Sequence, residues 1–102
     1  MHPLIAQHKE RIASVCRSFG VRRLEVFGSA AGFTDFDIQR SDIDFLVEFR
    51  DDIAADLSLY FETKSALEQV LGRPVDLVEP SAIRNPYLMD SINQQRKPVY
   101  AA

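Results

Sequence analysis

Apolar residues near the start of the chain recur at the spacing of an amphipathic helix. They are Leu4, Ile5, Ile12, Val15, Cys16 and Phe19. Because glycine at position 20 is a typical helix end, the spacing predicts one helix from about Pro3 to Phe19. A second stripe predicts a helix that ends at Gly72, and its apolar members are Leu57, Tyr60, Phe61, Leu67, Val70 and Leu71.

Alternation of polar and apolar residues predicts strands around the second helix. The first strand covers residues 22–27, and the second runs from about Asp42 to Phe49 and closes in a turn at Arg50–Asp52. A short third strand, Val75–Val78, precedes Pro80. Residues 83–92 have the apolar spacing of a last short helix, and residues 97–100 form an extended tail.

The segment from Ala30 to Arg40 follows neither period. Phe33, Phe36 and Ile38 stand irregularly among polar residues. We therefore expect a loop whose apolar side chains either fold back on the core or contact a partner.

Length and composition limit the classes of protein to consider. A chain of 102 residues predicts one domain spanning residues 1–102, and its 46% apolar residues, 26% charged residues and net charge of −3 are ordinary for a globular protein. Nucleic acid is not expected as a direct substrate, because the chain lacks a basic footprint. Cys16 is the only cysteine, which excludes an internal disulfide. No secretion signal or membrane span of about 18 residues is evident, so we expect a cytoplasmic protein without membrane contact.

Two carboxylates at the start of the second predicted strand mark a candidate metal site. Asp42 and Asp44 are two residues apart, so a strand would present both on one face. Their repulsion favours a hard cation such as Mg²⁺ between them. The preceding Gly28-Ser29 turn suits phosphate, because glycine allows close backbone approach and serine offers a hydroxyl.

A third carboxylate, Asp76, interrupts the apolar third strand. A carboxylate inside a buried strand is costly without a partner. If the second and third strands are neighbours, Asp76 joins Asp42 and Asp44 at one sheet edge that faces Gly28-Ser29. This is the arrangement that two-metal nucleotidyl transfer requires.

The ordered set of Gly28-Ser29, a spacer of residues 30–41, Asp42-Ile43-Asp44 and Asp76 resembles the signature of the polymerase-beta-like nucleotidyltransferases. Residues 41–49 and 71–78, and the string Arg84-Asn85-Pro86-Tyr87, are similar to the minimal nucleotidyltransferases. The resemblance implies a small α+β domain with a mixed central sheet flanked by helices. It also implies two Mg²⁺ ions, a nucleoside triphosphate (usually ATP) and, as partner in a hetero-oligomer, a helical HEPN toxin encoded nearby. Such antitoxins silence the toxin by transferring AMP to a tyrosine.

Carried over to this sequence, the resemblance implies two sets of site residues. The catalytic and metal-binding set is Asp42, Asp44 and Asp76, and the nucleotide-binding set is Gly28, Ser29 and Ser41.

One departure from the family pattern leaves alternatives open. Family members often have a basic residue where this chain has Gly32 and Phe33, and Arg40, Lys64 or Arg73 are candidates to replace its charge. One alternative is therefore a weak or inactive domain that neutralises a partner by binding alone. In another, the paired aspartates only cap a turn and Asp76 forms an ion pair.

Overall fold

The computed structural model describes residues 2–28 and 42–102. Within them the elements are α1 (Pro3–Gln7), α2 (Lys9–Phe19), β1 (Val21–Phe27), β2 (Ile43–Phe49), α3 (Leu57–Leu71), β3 (Val75–Val78), a 3-10 turn (Pro80–Ala82), α4 (Pro86–Gln95) and β4 (Lys97–Ala101). The strands form one sheet with the order β3-β2-β1-β4. The predicted α+β fold with a mixed central sheet is confirmed.

The predicted first helix is wrong in one respect, because it is broken at His8. In a continuous helix the carbonyl of Leu4 would accept from the backbone N–H of His8. Instead the His8 imidazole Nδ1 lies 2.7 Å from that oxygen, and the backbone N–H donates to the carbonyl of Ile5 at 3.1 Å. The His8 side chain thus replaces its own backbone donor, and α1 ends there while Ile5 and Ile12 both remain fully buried.

The sheet is mixed because its strands are connected in two ways. β1 is antiparallel to both β2 and β4, whereas β2 and β3 are parallel. A parallel pair needs a crossover connection, and α3 provides it. Asp56 caps the start of α3 by accepting from the backbone N–H of Leu59 at 2.9 Å, and Gly72 ends the helix in the left-handed conformation. The predicted end of the helix is therefore confirmed. The predicted stripe is confirmed for Leu67 and Leu71, which are buried, but it is wrong for Leu57 and Phe61, which are exposed.

One face of the sheet carries the hydrophobic core. Helices α2 and α3 pack against it and against each other. The largest fully buried side chain is Phe45 on β2, and its neighbours on the same strand face, Ile43 and Val47, are also fully buried. Alternation therefore sends Asp44, Leu46 and Glu48 to the opposite face.

A bulge in β1 changes the faces that simple alternation predicts. The register with β2 shifts between Val21 and Arg23, so Val21 and Leu24 both reach the core. The shift also lets two neighbouring arginines contact one carboxylate, since Arg22 and Arg23 lie 3.1 and 3.5 Å from Glu48. Simple alternation would place Arg22 on the same face as Leu24, but Arg22 is exposed whereas Leu24 is buried.

The C-terminal residues are part of the sheet. The segment predicted only as an extended tail is β4, which pairs with β1 at the sheet edge. Its Pro98 is compatible with this position because an edge strand leaves one row of N–H groups unpaired. In the described part of the chain, no helix is long and apolar enough to span a bilayer.

Candidate functional site

Two of the predicted carboxylates lie side by side on neighbouring strands. In the parallel pair of β2 and β3, Asp44 is the direct register partner of Asp76. The residues flanking Asp76, Val75 and Leu77, are buried in the core, so Asp76 is on the same open face as Asp44. Asp44 is half-buried and Asp76 is exposed. Asp76 therefore does not sit in a buried environment, and the expectation that burial makes it costly is wrong.

Asp42 lies just outside the strand that was predicted to hold it. β2 begins at Ile43, whose backbone N–H donates to the carbonyl of Pro74 at 3.0 Å. Asp42 immediately precedes this strand and is exposed. Its carboxylate is still close enough to act on Asp44. Burial, the charge of Asp76 and the charge of Asp42, in that order, raise the pKa of Asp44 from 3.8 to about 6.

Gly28 directly follows β1 and approaches these carboxylates closely. Phe27 pairs with Asp44 across the sheet, and Gly28 then takes a φ of 72°, in the left-handed region that favours glycine. A Cβ at position 28 would lie 2.6 Å from Asp44 Oδ2. Any side chain would therefore displace the carboxylate, so the glycine allows the turn to lie against Asp44.

Two further residues form hydrogen bonds next to this site that no sequence pattern predicts. Gln95, the last residue of α4, accepts a hydrogen bond through its Oε1 from the backbone N–H of Gly28 at 3.2 Å. The hydroxyl of Tyr60 on α3 donates to the carbonyl of Leu77, the residue after Asp76. Burial and the charges of Asp76 and Glu79 raise the pKa of Tyr60. No sequence signal singles out Gln95, and Tyr60 was counted only in an apolar stripe.

Several predicted positions are outside the described residues. They are Ser29, Ser41, Gly32, Phe33 and Arg40, together with the rest of the predicted loop. Of the candidate replacements for a basic residue, Lys64 lies 3.8 Å from Glu68 on the same helix, and Arg73 lies in the turn before β3. The Glu68 carboxylate also accepts from the backbone N–H of Val75 at 3.0 Å. Lys64, in the middle of α3, thus forms an ion pair with Glu68.

The donor chemistry of the carboxylates fits a hard divalent cation. Among residues 2–28 and 42–102, no three His, Cys, Asp or Glu side chains are arranged as a closed metal cage. Mg²⁺ seldom uses such a cage, because it is usually held by one or two carboxylates together with substrate phosphates and water. Burial first, and then the negative charges of Asp76 and Asp42, raise the pKa of Asp44. A cation bridging these oxygens would relieve that repulsion.

Comparison with known proteins identifies the family of the chain. The profile of the family described as "Polymerase beta, Nucleotidyltransferase" matches residues 10–102. Two relatives from Methanocaldococcus jannaschii, both provisionally named protein adenylyltransferase, are 35% and 33% identical over 91 residues, which is 89% of this chain and 86% of each relative. A solved structure described provisionally as a minimal nucleotidyltransferase superposes with a TM-score of 0.76 at 30% identity, covering 96% of both chains.

Two more distant solved structures share the fold. One is a toxin-antitoxin complex with AMP-PNP, with a TM-score of 0.69, 24% identity and coverage of 92% of this chain and 73% of the other. The second is a tri-AMPylated Shewanella oneidensis HEPN toxin in complex with its MNT antitoxin, with a TM-score of 0.65, 21% identity and coverage of 96% and 73%. Together with the profile match and the archaeal relatives, these likenesses confirm the resemblance drawn from the motif, and the chain belongs to the polymerase beta nucleotidyltransferase family.

Proposed function

We propose that this nucleotidyltransferase transfers AMP from ATP to a hydroxyl of a partner protein, and that the partner is a HEPN toxin modified on tyrosine. The observation that carries the proposal is the position of Asp44. It lies beside Asp76 in register, within the field of Asp42, and against the glycine turn at Gly28. The archaeal relatives named as protein adenylyltransferases and the tri-AMPylated toxin complex support the acceptor class, and the complex with AMP-PNP supports the nucleotide.

The assignment of the carboxylates follows their positions relative to the Gly28 turn. Asp44 is half-buried next to Gly28, so we assign it, together with Asp42, to the Mg²⁺ that grips the nucleotide phosphates. Asp76 lies on β3, on the side of β2 away from the Gly28 turn, so we assign it to the second ion, on the acceptor side. The bound Mg²⁺ would neutralise phosphate charge and lower the pKa of the acceptor hydroxyl.

The turn at Gly28 has a separate task. The Gly28 N–H already donates to Gln95 Oε1, so we assign the phosphate contact to the close backbone approach that glycine allows and to the hydroxyl of Ser29. Ser41, at the other end of the loop, is assigned to the same nucleotide. In the reaction the acceptor hydroxyl loses its proton to water and its oxygen bonds to the α-phosphorus. The bond from that phosphorus to the oxygen that bridges it to the β-phosphorus breaks, and pyrophosphate leaves. The protein residues hold the two reacting atoms in line, which is their main contribution in this class of reaction.

The test uses intact mass spectrometry of the partner. The chain is incubated with ATP, Mg²⁺ and the HEPN protein tested as its partner, and the mass of that protein is measured before and after. We expect the wild type to add the mass of one or more AMP groups and Asp44→Asn to add none.

The alternative function makes a different set of predictions. A domain that acts by binding alone would leave the partner mass unchanged with every divalent cation tried. In that case the wild type and Asp76→Asn would suppress the activity of the partner equally and would bind it with equal affinity. That combined result would refute the transferase proposal.

A further inference from the structure

We infer that Gln95 is a positioning residue for the triphosphate, because its side chain holds the Gly28 turn from the end of α4. The hydrogen bond from Gly28 N to Gln95 Oε1, at 3.2 Å, joins residues that are 67 positions apart in the sequence. The inference rests on the proposed function, since it assigns Gln95 to the nucleotide side of that site.

The backbone next to Gln95 is fixed by contacts of Arg96. Its neighbour Arg96 donates from Nε to Glu25 Oε2 at 3.1 Å and from Nη2 to the other oxygen of the same carboxylate. Glu25 is 8% exposed, so this bidentate pair is a firm anchor on β1. The backbone N–H of Arg96 also donates to the carbonyl of the buried Ile92 at 2.8 Å. Gln95 therefore extends from a rigid point.

The peptide that Gln95 holds is the one packed on the candidate metal site. Gly28 lies so close to Asp44 that a Cβ would be 2.6 Å from its Oδ2. A shift of the Gly28 peptide would therefore move the turn relative to the carboxylates. Hydrogen bonding of its N–H by Gln95 opposes such a shift before any nucleotide is bound.

The chemistry of the amide explains why glutamine suits this position. Gly28 N is a donor, so the amide must present Oε1 to it, which leaves the two N–H donors of Nε2 for other acceptors. Gln95 is exposed, so a ligand can reach this amide. A glutamate would also accept from Gly28, but it would place a negative charge where phosphates bind. A loss of ATP affinity in Gln95→Glu would therefore distinguish a role toward phosphate from a hydrogen bond that is only structural.

The experiment compares Gln95 with its neighbour Gln94, an exposed residue of the same type on the same helix. ATP affinity is measured by calorimetry with Mg²⁺, and kcat and KM for ATP in the transfer assay. We expect Gln95→Ala to weaken ATP binding about three- to tenfold, the range for one lost hydrogen bond. Gln95→Glu should weaken it further, whereas Gln94→Ala and Gln94→Glu should stay within about twofold, since an exposed charge off the site is screened. The effect should appear in KM more than in kcat.

A second readout needs no nucleotide. Hydrogen exchange of the Gly28 amide should be faster in Gln95→Ala than in Gln94→Ala, and should stay slow in Gln95→Glu, because the carboxylate still accepts the bond. Thermal unfolding of all four variants checks that they are folded.

The outcomes distinguish this inference from the proposed function. If the wild type binds ATP and Gln95→Glu binds it equally well, or if the Gln95 variants match the Gln94 variants, the inference is wrong and the proposed function stands. If the wild type and variants show the expected ATP affinities but no AMP reaches the partner, only the proposed function fails. A wild type that binds no ATP with any divalent cation overturns both.

Discussion

Replacing Asp44 with asparagine should stabilise the free protein and abolish AMP transfer. Asp44 is half-buried between Asp42 and Asp76, and its pKa is raised from 3.8 to about 6. A carboxyl whose pKa is higher in the folded state than in the unfolded state destabilises the folded state once it ionises. Asparagine has nearly the same shape and carries no charge, so it removes this cost without leaving a cavity.

The size of the gain follows from the pKa of Asp44. A rise from 3.8 to about 6, at about 1.4 kcal/mol per pKa unit, corresponds to about 3 kcal/mol. Solvent screens a half-buried carboxylate, so we reduce this by about half or more, to about 1–1.5 kcal/mol at neutral pH. For a chain of 102 residues that is a rise in Tm of about 4–10 °C.

The pH dependence has a definite sign. As the pH falls from about 6 to about 4, the folded wild type binds a proton at Asp44 that the unfolded chain does not yet bind, so the wild type gains stability. The advantage of Asp44→Asn should therefore be full above about pH 6 and vanish below about pH 4.

Denaturant and thermal unfolding from pH 3.5 to pH 8, without divalent cations, measure this difference. Asp90→Asn, at an exposed carboxylate on α4, is the matched control and should track the wild type. If Asp44→Asn unfolds at or below the wild-type temperature at pH 7.5, burial and the neighbouring charges of ionised Asp44 do not destabilise the folded protein. If Asp44→Asn still transfers AMP at the wild-type rate, the assigned metal site is wrong.

Three other substitutions test separate parts of the molecule. Asp76→Asn should lower kcat for AMP transfer by at least about tenfold while changing ATP affinity little, because it acts on the acceptor side; equal losses of both, by kinetics and calorimetry, would contradict that assignment. Gly28→Ala should lower the free energy of unfolding by about 1–2 kcal/mol through backbone strain, and it should also weaken ATP binding. Gly72 has a similar φ of 66° and nothing within 4 Å of a Cβ, so Gly72→Ala should lose stability but leave ATP affinity unchanged. Arg96→Ala should cost about 2–3 kcal/mol in denaturant unfolding, since it removes the bidentate partner of the buried Glu25 carboxylate and leaves the longer contact with Arg23 Nη1 at 3.8 Å. Arg22→Ala, at an exposed arginine, should cost less than about 1 kcal/mol, and similar costs would show that burial of the pair is unimportant.

The sequence alone determined the elements whose signals are local. Alternating residues locate β2 and β3 to within one residue, and an apolar stripe with a closing glycine locates α3, because each pattern reflects one element packing one face on a core. The pair Asp42 and Asp44 next to a Gly-Ser turn was also evident, since its residues are close in sequence or follow a family pattern.

Local patterns failed where a side chain competes with the backbone or where pairing depends on distant residues. The imidazole of His8 takes the carbonyl of Leu4 and divides the first helix, which no hydrophobic period reveals. The predicted tail forms β4 because it pairs with the edge of β1 that β2 leaves free. That edge exists only once the sheet has formed.

The tertiary structure alone decided how the candidate site is assembled. The sequence places Asp76 on a strand, but only the parallel register of β2 and β3 puts it directly beside Asp44. The contact of Gln95 with Gly28 joins two segments 67 residues apart through one side chain, and it leaves no periodic signal in either segment. Local sequence specifies which faces are apolar, whereas register and long-range hydrogen bonds depend on how all the faces pack together.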